Sequence, residues 1–142
     1  MSADAFLDTN VFVYELDRTE PYKSDTASRL IASALAEDSG CISYQIIQEC
    51  LSTFMRKARI PISVADMRSY MHNVLIPMYR IPATVALYER GLALHERYGF
   101  AIYDCLVVAA ALEAGCRTLY TEDLQHGQQI EQLRIVNPFL VD

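Results

Sequence analysis

The stretch Ala5-Phe6-Leu7-Asp8-Thr9-Asn10 decides the fold, because a short apolar run stops there abruptly at three polar residues. An apolar run of this length fits either a strand or part of a buried helix, and the abrupt polar stop favours the end of a strand. Thr9 or Asn10 can then cap a short helix over residues 11–14. The stretch therefore predicts a strand that is followed at once by a helix.

The rest of the chain continues this alternation of strand and helix spacing. Helices are predicted over residues 24–37, 45–56, 63–75, 82–98 and 102–114, and strands over residues 41–43, 78–81, 117–121 and 134–136. This order predicts an α/β fold with a central, mostly parallel sheet and helices on both of its faces. Ligands of such sheets bind beyond the carboxyl ends of the strands, so functional residues are expected there.

The composition is that of one folded domain. The 142 residues are 52% hydrophobic and 21% charged, which supplies enough apolar material for a packed core and argues against disorder. The net charge of -6 argues against a non-specific nucleic-acid clamp, because such proteins usually carry net positive charge. It leaves open an enzyme that reaches nucleic acid through metal ions.

Compartment signals are few. No stretch approaches the roughly 20 apolar residues of a membrane span, and no basic segment precedes an apolar one at the N-terminus, so we expect neither a membrane anchor nor a secretory signal. The four cysteines form no C-x-x-C pair and lie mostly among apolar neighbours. We therefore expect buried, reduced thiols and a cytoplasmic protein.

Two acids follow predicted strands. Asp8 follows the first strand, and Asp123 follows a later one after Thr121 and Glu122. If these strands are parallel neighbours, both acids lie at one edge of the sheet. The alternatives are that Asp8 only caps the next helix and that Asp123 is an ordinary loop acid. Glu122 is an alternative to Asp123, because it follows the same strand.

Two further acids lie on predicted helices. Asp104 lies in the first turn of the helix over residues 102–114, which is apolar almost all round, so a carboxylate there needs a compensating partner. The positive end of the helix offers some compensation without any function. Glu49 lies beside the apolar stripe of the helix over residues 45–56, and an ordinary solvated glutamate is the alternative for it.

Four converging acids could not all stay ionised unaided. Two unit charges about 5 Å apart repel by roughly 3 kcal/mol at an effective dielectric of about 20. Such a cluster needs protons or a divalent cation, and ligands that are all oxygen suit Mg²⁺ or Mn²⁺ rather than zinc. A cation in such a pocket is typical of phosphoryl chemistry, because it activates water and relieves charge on phosphate oxygens.

Four segments carry a family resemblance. They are Phe6-Leu7-Asp8-Thr9-Asn10-Val11, Gln48-Glu49, Tyr103-Asp104-Cys105-Leu106 and Leu119-Tyr120-Thr121-Glu122-Asp123-Leu124-Gln125-His126-Gly127. They resemble the PIN domain and, more narrowly, the VapC-type toxins of bacterial toxin–antitoxin pairs. The resemblance runs from Phe6 to about Pro138, and it implies one PIN-like domain over residues 1–142.

The resemblance implies an endoribonuclease that depends on Mg²⁺ or Mn²⁺. The acidic set that it implies, as both catalytic and metal-binding residues, is Asp8, Glu49, Asp104 and Asp123. Asp8 and Asp104 would be direct ligands, and Glu49 and Asp123 would complete the pocket directly or through water. Thr9, Asn10 and Thr121 would orient carboxylates or water by hydrogen bonds. The implied partners are an RNA substrate such as transfer RNA, a cognate antitoxin protein and a second copy in a homodimer.

Two other functions compete with this one. A phosphatase of the haloacid dehalogenase type requires a second Asp where this chain has Asn10 and a late Lys, whereas the only lysines are Lys23 and Lys57. A catalytically silent PIN-like scaffold that binds protein or RNA is the main alternative. Arg56, Lys57 and Arg59 are a candidate RNA-facing patch, although cations also suit the end of a helix.

Overall fold

Six short strands alternate with seven α-helices in the computed structural model, which describes residues 3–57 and 59–141. The strands are β1 (Ala5–Leu7), β2 (Gly40–Ser43), β3 (Tyr79–Ile81), β4 (Thr118–Tyr120), β5 (Gln129–Ile130) and β6 (Leu133–Val136). The helices are α1 (Thr9–Leu16), α2 (Pro21–Ala36), α3 (Tyr44–Arg56), α4 (Val64–Tyr70), α5 (Ile76–Met78), α6 (Val85–Tyr98) and α7 (Ile102–Glu113). A π-helical turn (Met71–Leu75) lies between α4 and α5.

The strands form one sheet in the order β3-β2-β1-β4-β6-β5. All neighbours are parallel except β5, which pairs antiparallel with β6 at the edge. The prediction of a mostly parallel sheet is therefore confirmed. The strand β1 lies between β2 and β4, so the chain leaves it on one side and later returns on the other. A ligand crevice is expected beyond the carboxyl ends of β1 and β4, where the strand order reverses.

Helices cover both faces of the sheet. Consecutive strand residues point to opposite faces, and Phe6 and Leu7 of β1 are both buried. All four residues of β2 are buried as well. One group of helices packs α1 against α2 and α3, and a second packs α6 against α7. The helix α7 is buried from Cys105 to Leu112, as its almost wholly apolar sequence predicts.

Several helix boundaries differ from the prediction. The helix α2 begins at Pro21 rather than at Ser24, because proline suits the first helical position, where no intrahelical N–H bond is lost. Ser24 is buried inside α2, and its hydroxyl donates to the carbonyl oxygen of Glu15 at 3.4 Å. The helix α6 begins at Val85 instead of at residue 82, because Thr84 Oγ1 accepts from the N–H of Leu87 at 3.1 Å and caps it.

The predicted helix over residues 63–75 begins as expected, with Ser63 Oγ accepting from the N–H of Asp66 at 3.1 Å. Regular α-helix ends at Tyr70, and the π-helical turn follows, in which the N–H of Ile76 bonds to the oxygen of Met71. Pro77 comes next and has no N–H to donate. Pro77 lies in the short helix α5, and the next strand begins at Tyr79 rather than at Met78. The two-residue strand β5 was not predicted, because it is too short to show a period.

The cysteines agree with the expectation of buried, unpaired thiols. Cys41, Cys50, Cys105 and Cys116 are buried and free. None of the helices in residues 3–57 and 59–141 combines the length and the apolarity that a membrane span needs.

Candidate active site

Asp8 lies at the junction of β1 and α1 and is only 5% exposed. Its Oδ1 accepts from the N–H of Thr9 at 2.7 Å, and its Oδ2 accepts from Thr121 Oγ1 at 2.8 Å. Asp8 is thus the N-cap of α1, as one alternative held, whereas Thr9 and Asn10, which were expected to cap it, lie inside the helix. Its second oxygen, however, accepts from Thr121, which directly follows β4. A residue that only caps a helix does not need this second hydrogen bond.

The register of β1 and β4 explains this contact. Leu7 lies opposite Tyr120, and the N–H of Asp8 donates to the carbonyl oxygen of Tyr120 at 3.0 Å. Asp8 and Thr121 are therefore the first residues beyond two paired strands. The structure confirms that the carboxyl ends of these strands are neighbours.

The Thr121 hydroxyl connects several groups of the site and is fully buried. Besides donating to Asp8, it accepts from the N–H of Asp123 at 3.1 Å and from Asn10 Nδ2 at 3.4 Å. Asn10 Nδ2 also donates to Asp123 Oδ2 at 3.3 Å. Asn10 Oδ1 is buried and has no hydrogen-bond partner among the described residues. An oxygen of this kind is a candidate acceptor for a water or a cation.

Glu49 enters the same site from α3. Thr9 Oγ1 donates to Glu49 Oε1 at 2.9 Å, which joins the start of α1 to the middle of α3. Glu49 is half-buried rather than fully solvated. Thr9 thus contacts Asp8 through its backbone and Glu49 through its side chain.

Asp104 reaches the site from the first turn of α7. It is half-buried, and it lines the same cleft as Asp8, Glu49 and Asp123. Burial raises the pKa of Asp104, and the carboxylates of Asp123 and Glu49 raise it further. The cleft has a volume of about 540 Å³. Four acids that are scattered over 116 residues of sequence are therefore gathered around one opening.

Asp8 is the acid whose pKa this arrangement raises to about 7. Burial raises its pKa from 3.8 to about 7. The hydrogen bonds from Thr121 and Thr9 lower the pKa of Asp8, whereas the nearby carboxylates of Asp123 and Glu49 raise it. At neutral pH, a substantial fraction of the molecules therefore carries a proton on Asp8 unless a cation takes its place.

The donor set fits a hard divalent cation. The side chains around the cleft offer carboxylate, amide and hydroxyl oxygens, which Mg²⁺ and Mn²⁺ prefer, and the unpartnered Asn10 Oδ1 adds another. Within the part of the chain that the structure describes, no three His, Cys, Asp or Glu side chains lie close enough together to form a complete metal site. The acids surround the cleft without closing on a common point.

Comparison with protein-family models matches residues 5–129 to the PIN domain. The chain belongs to the PIN domain family. The match includes every residue of the acidic set.

Solved structures share the fold of this PIN domain at low sequence identity. A toxin–antitoxin complex from Klebsiella pneumoniae has 18% identity and a TM-score of 0.66, over 97% of this chain and all of the other. VapC20 of Mycobacterium tuberculosis, described as a toxin that cleaves the sarcin–ricin loop, has 20% identity and a TM-score of 0.62, over 84% of this chain and 90% of its own.

A third structure of this kind is FitAcB from Neisseria gonorrhoeae, with 16% identity and a TM-score of 0.62, over 96% of this chain and 99% of the other. At these identities the likeness shows the fold alone. No curated protein sequence matches the chain.

Glu122 and Asp123 of this PIN domain have different partners. Glu122 Oε1 accepts from the hydroxyl of Tyr14 at 2.7 Å, and Glu122 Oε2 lies 3.5 Å from Lys23 Nζ. The same ammonium group donates to the Tyr14 hydroxyl at 3.1 Å. Asp123 instead contacts Asn10, and it is Asp123 that raises the pKa of both Asp8 and Asp104. Of the two candidates, Asp123 is therefore the one coupled to the other acids.

Sequence reasoning missed Gln45 in this PIN domain. Gln45 is buried and lines the cleft one helical turn before Glu49. Its Nε2 donates to the carbonyl oxygen of Tyr103 at 3.2 Å, whereas its Oε1 has no partner in the described part of the chain. The spacing of four residues from Glu49 on α3 was the available signal.

Only part of the candidate basic patch, Arg56, Lys57 and Arg59, lies at the cleft of this PIN domain. Arg56 and Lys57 line the cleft at the end of α3. Arg59 does not line it, and its guanidinium pairs instead with the buried carboxylate of Asp17 at 3.1 Å.

Proposed function

We propose that this PIN domain is an endoribonuclease that depends on Mg²⁺ or Mn²⁺ and hydrolyses RNA phosphodiester bonds. The observation that carries the proposal is the burial of Asp8 beside the carboxylates of Asp123 and Glu49, which raises its pKa to about 7, in a cleft that Asp104 also lines. Such a cluster is costly without a counter-charge. A divalent cation held by these acids would offset this cost and would supply positive charge at a site open to solvent.

The residues divide into ligands and supports. Asp8 and Asp104 are proposed as direct ligands of the cation, and Glu49 and Asp123 complete the pocket directly or through water. Thr121 and Thr9 orient Asp8 and Glu49 through the hydrogen bonds that they donate. Asn10 holds Asp123 in the same way. Supports of this kind set the direction of the ligand oxygens.

The chemistry that a bound cation supplies is activation of water and relief of negative charge on the phosphate. The protein orients the carboxylates and presents an open cleft in which a phosphodiester can lie next to them. A carboxylate that does not coordinate the cation would be able to accept the proton that the attacking water loses.

We further propose that the protein is the toxin of a toxin–antitoxin pair and acts in the cytoplasm. The proposed partners are a cognate antitoxin, an RNA substrate such as transfer RNA and a second copy in a homodimer. The support is similarity of fold to one structure described as a toxin–antitoxin complex and to another described as a toxin that cleaves the sarcin–ricin loop.

A catalytically silent scaffold is the second candidate. The observation in its favour is that the acids, within residues 3–57 and 59–141, do not form a finished metal site. On that account the cleft would bind a protein or an RNA without cutting it.

Cleavage of a panel of cellular RNAs, with mapped product ends, separates the two candidates. Wild-type protein is expected to cut with Mg²⁺ or Mn²⁺ and to stop in EDTA, and Asp8→Asn and Asp104→Asn are expected to be inert but folded by circular dichroism. Asp25→Asn is the matched control, because Asp25 is an exposed acid on α2. If both cleft variants cut like wild type, the residue assignment is wrong; if the wild type cuts no RNA with either metal, the scaffold account replaces ours.

A further inference from the structure

One face of α3 changes from acidic to basic along the cleft. Glu49, Ser52, Thr53 and Arg56 follow one another at helical spacing, and all four line the cleft. The seven helical steps from Glu49 to Arg56 span about 10 Å along the helix axis. The cleft therefore has an acidic end near Asp8 and a cationic end at the last turn of α3.

Arg56 is held in place without an acidic partner. Its Nε donates to the carbonyl oxygen and to the hydroxyl of Ser52, both at 3.3 Å, and its Nη2 donates to Thr53 Oγ1 at 3.5 Å. These contacts occupy two of the five N–H groups of a guanidinium. No carboxylate of the described residues lies within ion-pair distance of Arg56, whereas Arg59, Arg80 and Arg90 each have one.

Lys57 adds a second positive charge at the same end of the cleft. Its backbone N–H caps α3 by donating to the oxygen of Thr53, so the residue is fixed at the end of the helix. The negative end of the helix dipole accounts for cations anywhere in the last turn. It does not account for a guanidinium on the face that lines the cleft, held by two hydroxyl side chains.

We propose that Arg56, assisted by Lys57, binds a backbone phosphate of an RNA chain next to the phosphate that lies at the carboxylates. This inference rests on the proposed function, and it names the site that positions the substrate. RNA repeats its phosphates at regular steps, so a chain with one phosphate at the acidic end presents another toward the cationic end. A guanidinium with free N–H groups matches phosphate oxygens well.

An acidic peptide is the competing ligand for two cations. RNA is favoured because Tyr103, which is 66% exposed, lies on the same cleft beside Asp104 and offers an aromatic face to a base. A peptide carboxylate has no comparable use for that ring.

Binding of fluorescent single-stranded oligouridylate tests the proposal. Fluorescence anisotropy is measured in Mg²⁺ at several salt concentrations, with the Asp8→Asn protein as parent so that the RNA stays uncut. Adding Arg56→Gln is expected to weaken binding about tenfold and to reduce the slope of log affinity against log salt by about 0.7, the value for one lost phosphate contact on a single strand. Arg56→Lys keeps the charge and is expected to restore the slope.

Arg68→Gln is the matched control. Arg68 is an exposed cation in the last turn of α4 and does not line the cleft, so its loss is expected to change affinity by less than about twofold. Polyglutamate serves as the second probe. The proposal is overturned if Arg56→Gln behaves like Arg68→Gln, if the parent binds no RNA, or if only polyglutamate binding depends on Arg56.

The test separates this inference from the proposed function. If wild-type protein cleaves RNA while Arg56→Gln binds and cleaves it normally, the phosphate site is wrong and the nuclease stands. If RNA binding depends on Arg56 while no RNA is cut with either metal, the nuclease is wrong and the phosphate site stands.

Discussion

The side chains of Asp8 and Thr121, which are 113 residues apart in sequence, are joined by a hydrogen bond of 2.8 Å from Thr121 Oγ1 to Asp8 Oδ2. Thr121→Val keeps the shape of the side chain but removes this donor, and it also removes the acceptor for Asn10 and for the N–H of Asp123. Because buried groups lose their partners, we expect a loss of about 1–3 kcal/mol in the free energy of unfolding, measured with urea.

Thr118→Val is the control for that substitution. Thr118 is a half-buried residue of β4, the strand that Thr121 directly follows, and its hydroxyl makes no hydrogen bond to the described residues, so only a small effect is expected. Equal stability of the two variants would show that the Thr121 hydroxyl does not support the site.

The stability of the metal-free protein should depend on the protonation of Asp8. Its pKa is about 7 in the folded state, raised mainly by burial, against 3.8 for an ordinary Asp. Below that lower value both states carry the proton. As pH rises from about 4 to about 7, the folded state binds more protons than the unfolded one, so the free energy of unfolding falls.

The difference between wild type and Asp8→Asn isolates this term, since other titrating groups cancel. In EDTA, the variant should gain stability relative to wild type as pH rises through this range and level off above it. Urea titrations at several pH values provide the measurement. A difference that does not change with pH would mean that Asp8 is ionised in the folded protein throughout.

The two neighbouring acids Glu122 and Asp123 should differ in their effect on cation binding. Glu122 is engaged by Tyr14 and Lys23, whereas Asp123 is coupled to Asp8 and Asp104. We expect Asp123→Asn to weaken Mn²⁺ binding about tenfold or more, and Glu122→Gln to change it by less than about twofold. Titration calorimetry measures both, and the reverse order would exchange their roles.

Two glycines should respond oppositely to alanine. A Cβ at Gly40 would lie 2.9 Å from both Ala34 Cβ and Met78 Sδ, and Ala34 Cβ cannot move without its helix. Gly40→Ala is therefore expected to cost about 1–3 kcal/mol. At Gly91 the nearest atom is Leu106 Cδ2, the end of a side chain that can turn, and the helix gains up to about 1 kcal/mol from alanine. Gly91→Ala should thus be near neutral by thermal denaturation, and equal losses at both sites would refute this contrast.

Much of this fold and site follows from short-range patterns. The abrupt polar stop after Leu7 predicts the end of β1, and the rule that parallel strands share an edge predicts that Asp8 and Asp123 are neighbours. The apolar helix α7 predicts a buried environment for Asp104. These inferences succeed because burial on both faces leaves a clear hydrophobic signature.

Other features depend on contacts that no local pattern encodes. Lys23 engages Glu122 across 99 residues, so the choice between Glu122 and Asp123 could not be made from their adjacent positions. Arg59 lies close in sequence to Arg56 and Lys57, but its ion pair with Asp17 keeps it out of the cleft. The π-helical turn before Pro77 and the two-residue strand β5 are too short to leave a period in the sequence.

The central claim is that Asp8 and Asp104, which are far apart in sequence, hold the same cation. A double-mutant cycle of Mn²⁺ affinity tests it most directly, with wild type, Asp8→Asn, Asp104→Asn and the double variant titrated by calorimetry. We predict that each single change weakens binding at least about tenfold and that the double change costs clearly less than the sum, as expected for ligands of one ion. Wild-type affinity in both single variants, or no Mn²⁺ binding by the wild type, would contradict the account.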